Sequence, residues 1–183
     1  MTARVAAAGR EGAQDLWVFG YGSLMWRPGF PYLEEQHALL TGYHRSLCVM
    51  SHVHRGTPAR PGLVLGLDRG GRCHGVAFRV AAPEADSTIA YLRAREQVTS
   101  VYLERRLSVR LRDGRAVEAL AYVVDRKHPQ YAGRLPEDEV LRLVRQGIGV
   151  SGPNPDYVRS TYAHLKDMQV LDPLLERLVQ ALG

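Results

Sequence analysis

Asp113 and Gly114 separate two extended segments, and this pair is the strongest hairpin signal in the chain. An Asp-Gly pair between two extended segments is typical of a tight turn, because Gly adopts positive φ freely and Asp is common in turns. The segments that it joins are residues 106–111 and 116–124. Arg69-Gly70-Gly71 predicts a second hairpin, which leads from residues 62–68 into residues 73–80. Two hairpins indicate mainly antiparallel pairing.

The other patterned segments add strands and four helices. Leu16–Gly20 is an apolar strand that stops at a glycine-rich turn, and residues 38–50 are extended. The predicted helices are Pro83 to about Val98, Pro136–Gln146, one that starts at Asn154-Pro155-Asp156, and Pro173–Leu182. In the third helix we expect Asn154 to be the N-cap. Antiparallel strands combined with helices predict the α+β class.

The length of the chain, 183 residues, favours one domain with one hydrophobic core. No linker of distinct composition divides the chain, so residues 16–183 are predicted to form that domain. Residues 1–15 have neither the apolar stretch of a signal peptide nor a periodic pattern. We expect a disordered N-terminal tail there.

The cysteines, the hydropathy and the net charge indicate the cellular compartment of the protein and the kinds of partner that it could bind. Cys48 and Cys73 form no disulfide framework and no zinc-ligand spacing, which favours a reducing cytosol, so a cytoplasmic protein is expected. No apolar run approaches the roughly 20 residues of a membrane span, so no membrane partner is expected. The net charge of +5 allows a nucleic-acid partner. The arginines are scattered among acidic residues, however, which favours a solvated surface and no nucleic-acid partner.

A glycine-rich turn, Gly20-Tyr21-Gly22-Ser23-Leu24, directly follows the first strand. It is not a dinucleotide-binding fingerprint, because Met25 stands where the third glycine belongs, and it is not the G-x-S-x-G elbow of a hydrolase. Two residues without side chains allow backbone amides to approach a ligand. The alternative is that these glycines only turn the chain.

Glu96 is a carboxylate at a position that should face the core. Ala85, Ile89, Leu92 and Glu96 follow one another at the spacing of a single helix face. Burial raises the pKa of a carboxyl group toward the range of a general base. The alternative is that Glu96 pairs with Arg93 or reaches solvent.

His52 and His54 lie on one face of an extended segment, a pattern that also occurs in metal sites. No third ligand lies nearby in the sequence. We therefore predict no metal site.

Several of these segments together resemble the ChaC family, whose members are glutathione-specific γ-glutamylcyclotransferases. The resemblance extends from about residue 16 to about residue 180 and rests on residues 17–26, 54–58 with 61–62, 95–96, 128–131 and 151–157. It implies a small, mostly antiparallel β-barrel with packed helices, and neither a metal nor an organic cofactor. One departure is Val101, which precedes Tyr102 where family members commonly have a glycine.

The resemblance also implies residue roles. It assigns the loop that binds the γ-glutamyl group to Tyr21, Gly22, Ser23 and Leu24. It identifies Glu96 as the catalytic acid/base.

Three further residues match family positions near the pocket. Tyr131 and Tyr157 are expected to contact substrate, although a buried tyrosine is more often a packing residue. Arg55 is a candidate for the glycine carboxylate of the substrate, and the alternative is that it braces a loop through an ion pair.

The implied reaction converts glutathione to 5-oxoproline and Cys-Gly through attack of the γ-glutamyl α-amine on its own side-chain carbonyl. Two alternatives are open at this point. One is the same reaction on another γ-glutamyl amide or dipeptide. The other is a non-catalytic protein that binds nucleic acid through its positive charge.

Overall fold

The computed structural model describes residues 13–96 and 100–183, and they form a β-barrel with helices on one side. The five long strands are β1 (Leu16–Gly20), β2 (Glu34–Ser51), β3 (Gly62–Val80), β4 (Tyr102–Leu111) and β5 (Ala116–Val124). The helices are α1 (Ala85–Glu96), α2 (Glu137–Gln146), α3 (Asn154–Asp167) and α4 (Pro173–Leu182). A short ribbon pairs β6 (Ile148–Gly149) with β7 (Gly152–Pro153).

The barrel is closed in the order β1-β3-β2-β4-β5. Every pair is antiparallel except the closing one, in which β1 runs parallel to β5 with Trp17 opposite Ala119. The hairpin at Asp113-Gly114 joins β4 and β5 as predicted. The α+β fold class and the mostly antiparallel barrel are confirmed.

The predicted hairpin at Arg69-Gly70-Gly71 is wrong. Residues 62–80 form one long strand, and both halves of it pair with β2, from Ser51↔Gly62 to Glu34↔Arg79. Gly70 and Gly71 do adopt positive φ, but they face a register shift next to Gly42 on β2. Glycines on both strands therefore form a bulge that bends the pair, instead of a turn that reverses it.

The four predicted helices are present, and the last of them, Pro173–Leu182, has the predicted bounds. A turn of 3₁₀ helix (Ala82–Glu84) precedes α1, and Val98, the predicted end of that helix, lies outside the described residues. Asn154 begins α3 without capping it. Its buried amide group instead accepts from Leu63 N at 2.7 Å and donates to Leu63 O at 2.8 Å. The side chain thus provides hydrogen-bond partners for two backbone groups of β3. A capping preference, which reflects only neighbouring residues, cannot predict this long-range contact.

The predicted tail of residues 1–15 lies outside the described residues up to residue 12. Within the described part, Asp15 accepts from Arg79 Nη1 at 2.8 Å and from Ala82 N at 3.0 Å.

Most buried side chains of the barrel strands belong to one of two large hydrophobic clusters. Trp17 and Phe19 pack with residues of all five strands in the barrel interior. Val18, on the opposite face of the same strand, packs with the helices through Leu143 and Val158. Because β1 is buried on both faces, its end at Gly20 lies between the barrel and the helical layer. In the described residues, no helix has the length and apolarity needed to cross a membrane.

Candidate active site

The loop after β1 folds as a single 3₁₀ turn, Ser23–Met25, closed by a hydrogen bond from Met25 N to Gly22 O at 2.9 Å. No side chain caps the start of this turn. Gly20 is needed for packing, because a Cβ there would lie 2.9 Å from Leu24 Cβ. The first amides of the turn therefore have no intrahelical acceptor and lie at a cavity wall.

Glu96, the last residue of α1, faces that cavity, which has a volume of about 100 Å³. Its wall consists of the loop, four tyrosines and a few apolar side chains: Phe19, Tyr21, Gly22, Ser23, Leu24, Leu65, Glu96, Tyr102, Tyr122 and Tyr157. The structure therefore brings together the predicted loop, Glu96 and Tyr157, which lie far apart in the sequence.

Burial raises the pKa of the Glu96 carboxyl above its ordinary value, and the nearby Arg95 guanidinium opposes this shift. Only 18% of the Glu96 side chain is exposed, and its Oε1 lies 3.6 Å from Arg95 Nε. The alternative pairing with Arg93 does not form, because Arg93 binds Glu104 through two hydrogen bonds of 2.9 Å. Desolvation of this kind is common among carboxyl groups that act as acids or bases in active sites.

Arg95 connects the helix of Glu96 to the loop, and no sequence pattern singled it out as a structural link. Its Nη2 donates to Ser23 Oγ at 2.8 Å, and its Nη1 donates to Arg27 O at 2.7 Å and to Pro28 O at 3.3 Å. These bonds fix the loop relative to the Glu96 carboxyl.

Arg45 holds the same loop from the opposite side. This buried arginine of β2 donates from Nε to Tyr21 O at 2.6 Å and from Nη2 to His74 O at 2.7 Å. Asp172 lies 3.8 Å from its Nη1 and balances the buried charge. An arginine within a long strand gives no sequence signal for this role.

Tyr102 and Tyr157 share one anchor, Leu65 of β3. The Tyr102 hydroxyl donates to Leu65 O at 2.8 Å, whereas the Tyr157 hydroxyl accepts from Leu65 N at 3.0 Å. Burial raises the pKa of both phenols, that of Tyr157 to about 12, so both remain protonated at neutral pH. Tyr102 then has lone pairs left for a ligand, and Tyr157 has its proton left to donate.

Tyr21 and Tyr122 complete the aromatic wall. Burial raises the pKa of both hydroxyl groups, most strongly by desolvation. The Tyr122 hydroxyl donates to Glu104 at 2.9 Å, so Tyr122 contributes its ring to the cavity. Sequence reasoning missed Tyr102 and Tyr122 as site residues. The only sequence signal for them was that Tyr122 lies in a predicted strand and Tyr102 just before one.

Two of the residues assigned by resemblance lie off this wall. The Arg55 guanidinium sits over the Tyr157 ring, 5.4 Å from its centroid, and donates to Pro153 O at 3.3 Å. The Tyr131 hydroxyl donates to the buried Asp68 at 2.7 Å, and Arg126 donates to the other oxygen of that carboxylate. Their contacts with substrate stay predictions.

Across residues 13–96 and 100–183, no three His, Cys, Asp or Glu side chains come together as metal ligands. His54 Nδ1 lies 2.9 Å from Ser151 Oγ. The polar groups of the cavity wall are the desolvated Glu96 carboxyl, the Ser23 and tyrosine hydroxyls and backbone amides. Such groups can transfer a proton and bind a carboxylate, an amine and a polarised carbonyl.

Comparison with known proteins gives a consistent result. A family model described as ChaC-like protein matches residues 16–183. The chain is 34% identical over 179 residues to the glutathione-specific gamma-glutamylcyclotransferase of Escherichia coli K12, a match that covers 98% of this chain and 77% of that protein. It is also 34% identical over 176 residues to the human glutathione-specific gamma-glutamylcyclotransferase 1, which covers 93% of this chain and 79% of that protein.

Among solved structures, the fold is similar to the crystal structure of a yeast gamma-glutamyl cyclotransferase specific to glutathione. The selenomethionine form of that protein superimposes with a TM-score of 0.80 and 23% identity, covering 91% of this chain and 95% of that chain. The two proteins share one fold.

Proposed function

This chain belongs to the ChaC-like family, and from that premise we propose that it cleaves glutathione to 5-oxoproline and cysteinylglycine. The observation that carries the proposal is the position of Glu96, a desolvated carboxyl on the wall of a tyrosine-lined cavity beside the amides of residues 22–24. A γ-glutamyl group offers the α-carboxylate, the α-amine and the carbonyl that such a wall can bind.

The reaction is an internal transfer of the acyl group. The lone pair of the α-amine attacks the γ-carbonyl carbon, a new C–N bond closes the lactam ring, and the bond to the cysteine nitrogen breaks. The attacking nitrogen starts as an ammonium and ends as a lactam N–H, so it loses one proton before the attack and a second one afterwards. The departing nitrogen takes up two protons and leaves as an ammonium. No external reactant is consumed.

Glu96 is the group that carries protons from the attacking nitrogen to the departing nitrogen. As a carboxylate it removes the proton that makes an ammonium non-nucleophilic, and as a carboxylic acid it returns it to the leaving amine. The raised pKa makes this carboxylate a stronger base than an exposed glutamate, which favours removal of the proton. General acid/base catalysis of this kind contributes about 10² to 10⁴ in rate.

The tyrosines and the loop bind and orient the γ-glutamyl group. Tyr157 has a proton to donate to a carboxylate or to the developing oxyanion, and Tyr102 has lone pairs to accept from the amine. The amides at the start of the 3₁₀ turn offer further donors. Holding the substrate in a folded, near-cyclic conformer supplies the orientation that a free peptide lacks.

The experiment is to incubate the purified protein with reduced glutathione and to quantify 5-oxoproline and cysteinylglycine. We expect both products in equal amounts. N-acetylglutathione should be inert, because its α-nitrogen is an amide and cannot attack. Cleavage of that analogue at a comparable rate would exclude ring closure, and a panel of other γ-glutamyl amides and dipeptides would reveal a different preferred substrate.

A further inference from the structure

Glu96 also borders a second cavity, of about 140 Å³. Tyr102 is shared by both cavities, whereas the loop residues line only the first. The second cavity is formed mainly by the end of β2, the segment that follows it, and the start of β4.

The chemistry of the proposed reaction requires such an arrangement. In the tetrahedral intermediate, the attacking nitrogen and the leaving nitrogen are bonded to the same carbon. A single carboxyl that serves both nitrogens must therefore lie at the boundary between the ring that forms and the group that leaves. Glu96 is at such a boundary, because it contributes to the walls of both cavities.

The second cavity has an apolar floor and a polar rim. Val49 and Val101 are buried, and Val64 packs against the same cluster. This floor suits a small, weakly polar group such as a thiol. On the rim, the imidazole of His52 makes no hydrogen bond to any described residue, so its ring N–H is available to a ligand.

The rim is fixed to the rest of the fold. Val150 N donates to Val53 O at 2.9 Å, and Ser151 N donates to His54 O at 3.0 Å. Gln130 is held on β2 by donating from Nε2 to Met50 O at 2.9 Å. A ligand in this cavity thus meets a wall that is already ordered, which lowers the entropic cost of binding.

We infer that the second cavity is the subsite for the cysteinylglycine half of glutathione. The cysteine side chain lies on the valine floor, its nitrogen faces Glu96, and the glycine carboxylate accepts a hydrogen bond from His52. Arg55 does not line this cavity, so His52 takes the role that the family resemblance offered to Arg55. The inference rests on the proposed function and adds to it the location of the leaving group.

Binding of the two products to the full chain tests the inference without relying on turnover. In methyl NMR spectra, cysteinylglycine should shift the signals of Val49 and Val64, and 5-oxoproline should shift those of Leu24 and Leu65. Either product should bind in the presence of the other. Three results would overturn the subsite: competition between the two products, a shift of the leucine signals by cysteinylglycine, or no shift of either set of signals by cysteinylglycine.

A variant tests the rim. His52→Ala should weaken the binding of cysteinylglycine about tenfold, the loss expected for about 1.4 kcal/mol, and leave the binding of 5-oxoproline unchanged. The matched control is His44→Ala, which removes an imidazole that binds Gly70 O far from both cavities. Unchanged affinity of His52→Ala for cysteinylglycine would overturn the role of His52. Glutathione cleavage measured on the same preparations separates this failure from a failure of the proposed function.

Discussion

Tyr102 and Tyr157 bind the backbone of the same residue in opposite senses. Tyr102 donates to Leu65 O at 2.8 Å, and Tyr157 accepts from Leu65 N at 3.0 Å. Since a carbonyl can only accept and an amide N–H can only donate, the direction of each hydroxyl is set by the strand. One strand residue thus gives the cavity a free acceptor and a free donor side by side.

Tyr157→Phe should lower kcat/KM for glutathione by about tenfold or more, because it removes the hydroxyl that is left with a proton to donate. It also leaves Leu65 N without its partner, which costs about 1 to 3 kcal/mol of stability. Steady-state kinetics together with thermal unfolding would measure both effects. Tyr162→Phe is the control, since that hydroxyl contacts Glu176 outside the cavity. Equal kinetics for the two variants would contradict a role for Tyr157 in the site.

Glu96→Gln should reduce kcat by at least about 10², the lower end of acid/base catalysis, and leave glutathione binding largely intact. Glutamine is nearly isosteric but neither accepts nor returns the proton. Product formation and calorimetric binding would be measured on one preparation. The control is Glu137→Gln, which removes a carboxylate that pairs with Arg177 on the surface of the helical layer. Near-wild-type release of 5-oxoproline would exclude Glu96 as the proton carrier.

The stability of the wild type relative to Glu96→Gln should depend on pH. Burial raises the folded-state pKa of Glu96 above its ordinary value, so the folded protein holds this proton more tightly than the unfolded chain does. As pH rises from the ordinary pKa of a glutamate toward the higher folded-state pKa, the unfolded chain ionises first, and the wild type loses stability. We expect Glu96→Gln to have an equal or higher Tm at pH 7, and the difference to shrink toward pH 4. A difference that grows on acidification would mean that the carboxylate stabilises the fold.

Arg95 variants should separate charge from geometry. The positive charge lies 3.6 Å from Glu96 Oε1 and lowers its pKa, so Arg95→Met should move the acidic limb of the kcat/KM profile to higher pH. Arg95→Lys retains the charge but loses the fork of bonds to the 22–28 region, so it should leave the limb in place and lower kcat/KM.

Arg93→Met is the matched control for the Arg95 variants, because Arg93 lies on the same helix and binds Glu104 instead. It should not move the limb. An unchanged limb in Arg95→Met would show that this guanidinium does not act on Glu96.

Gly22→Val should raise KM while Gly22→Ala remains close to wild type. The φ of Gly22 is −133°, so a side chain is not excluded by a left-handed backbone. The nearest atom to an added Cβ is Leu65 Cδ1 at 3.8 Å, so alanine fits, but the two methyl groups of valine extend into the cavity. Circular dichroism should show both variants folded. An equal KM for glutathione in the two variants would mean that substrate does not bind next to Gly22.

Local patterns in the sequence were sufficient for much of this description. Periodicity located β1 and the helices, and Asp113-Gly114 located the β4–β5 hairpin. The apolar stripe of α1 placed Glu96 toward the interior, and the spacing of Gly20 and Gly22 indicated the loop. Each of these signals depends on residues within about one or two turns or one strand pair, where chain geometry alone fixes which side chains share a face.

Only the tertiary structure decided what surrounds Glu96. The bonds to Leu65 come from residues 37 and 92 positions away, and those that anchor the loop come from Arg45 and Arg95, 24 and 72 positions away. Gly70-Gly71 illustrates the same point, because the choice between a turn and a bulge depended on which strand lay opposite. Such contacts follow from closing the barrel and packing α3 on it, and the pairing of distant segments leaves no periodic signal in the sequence around any one of them.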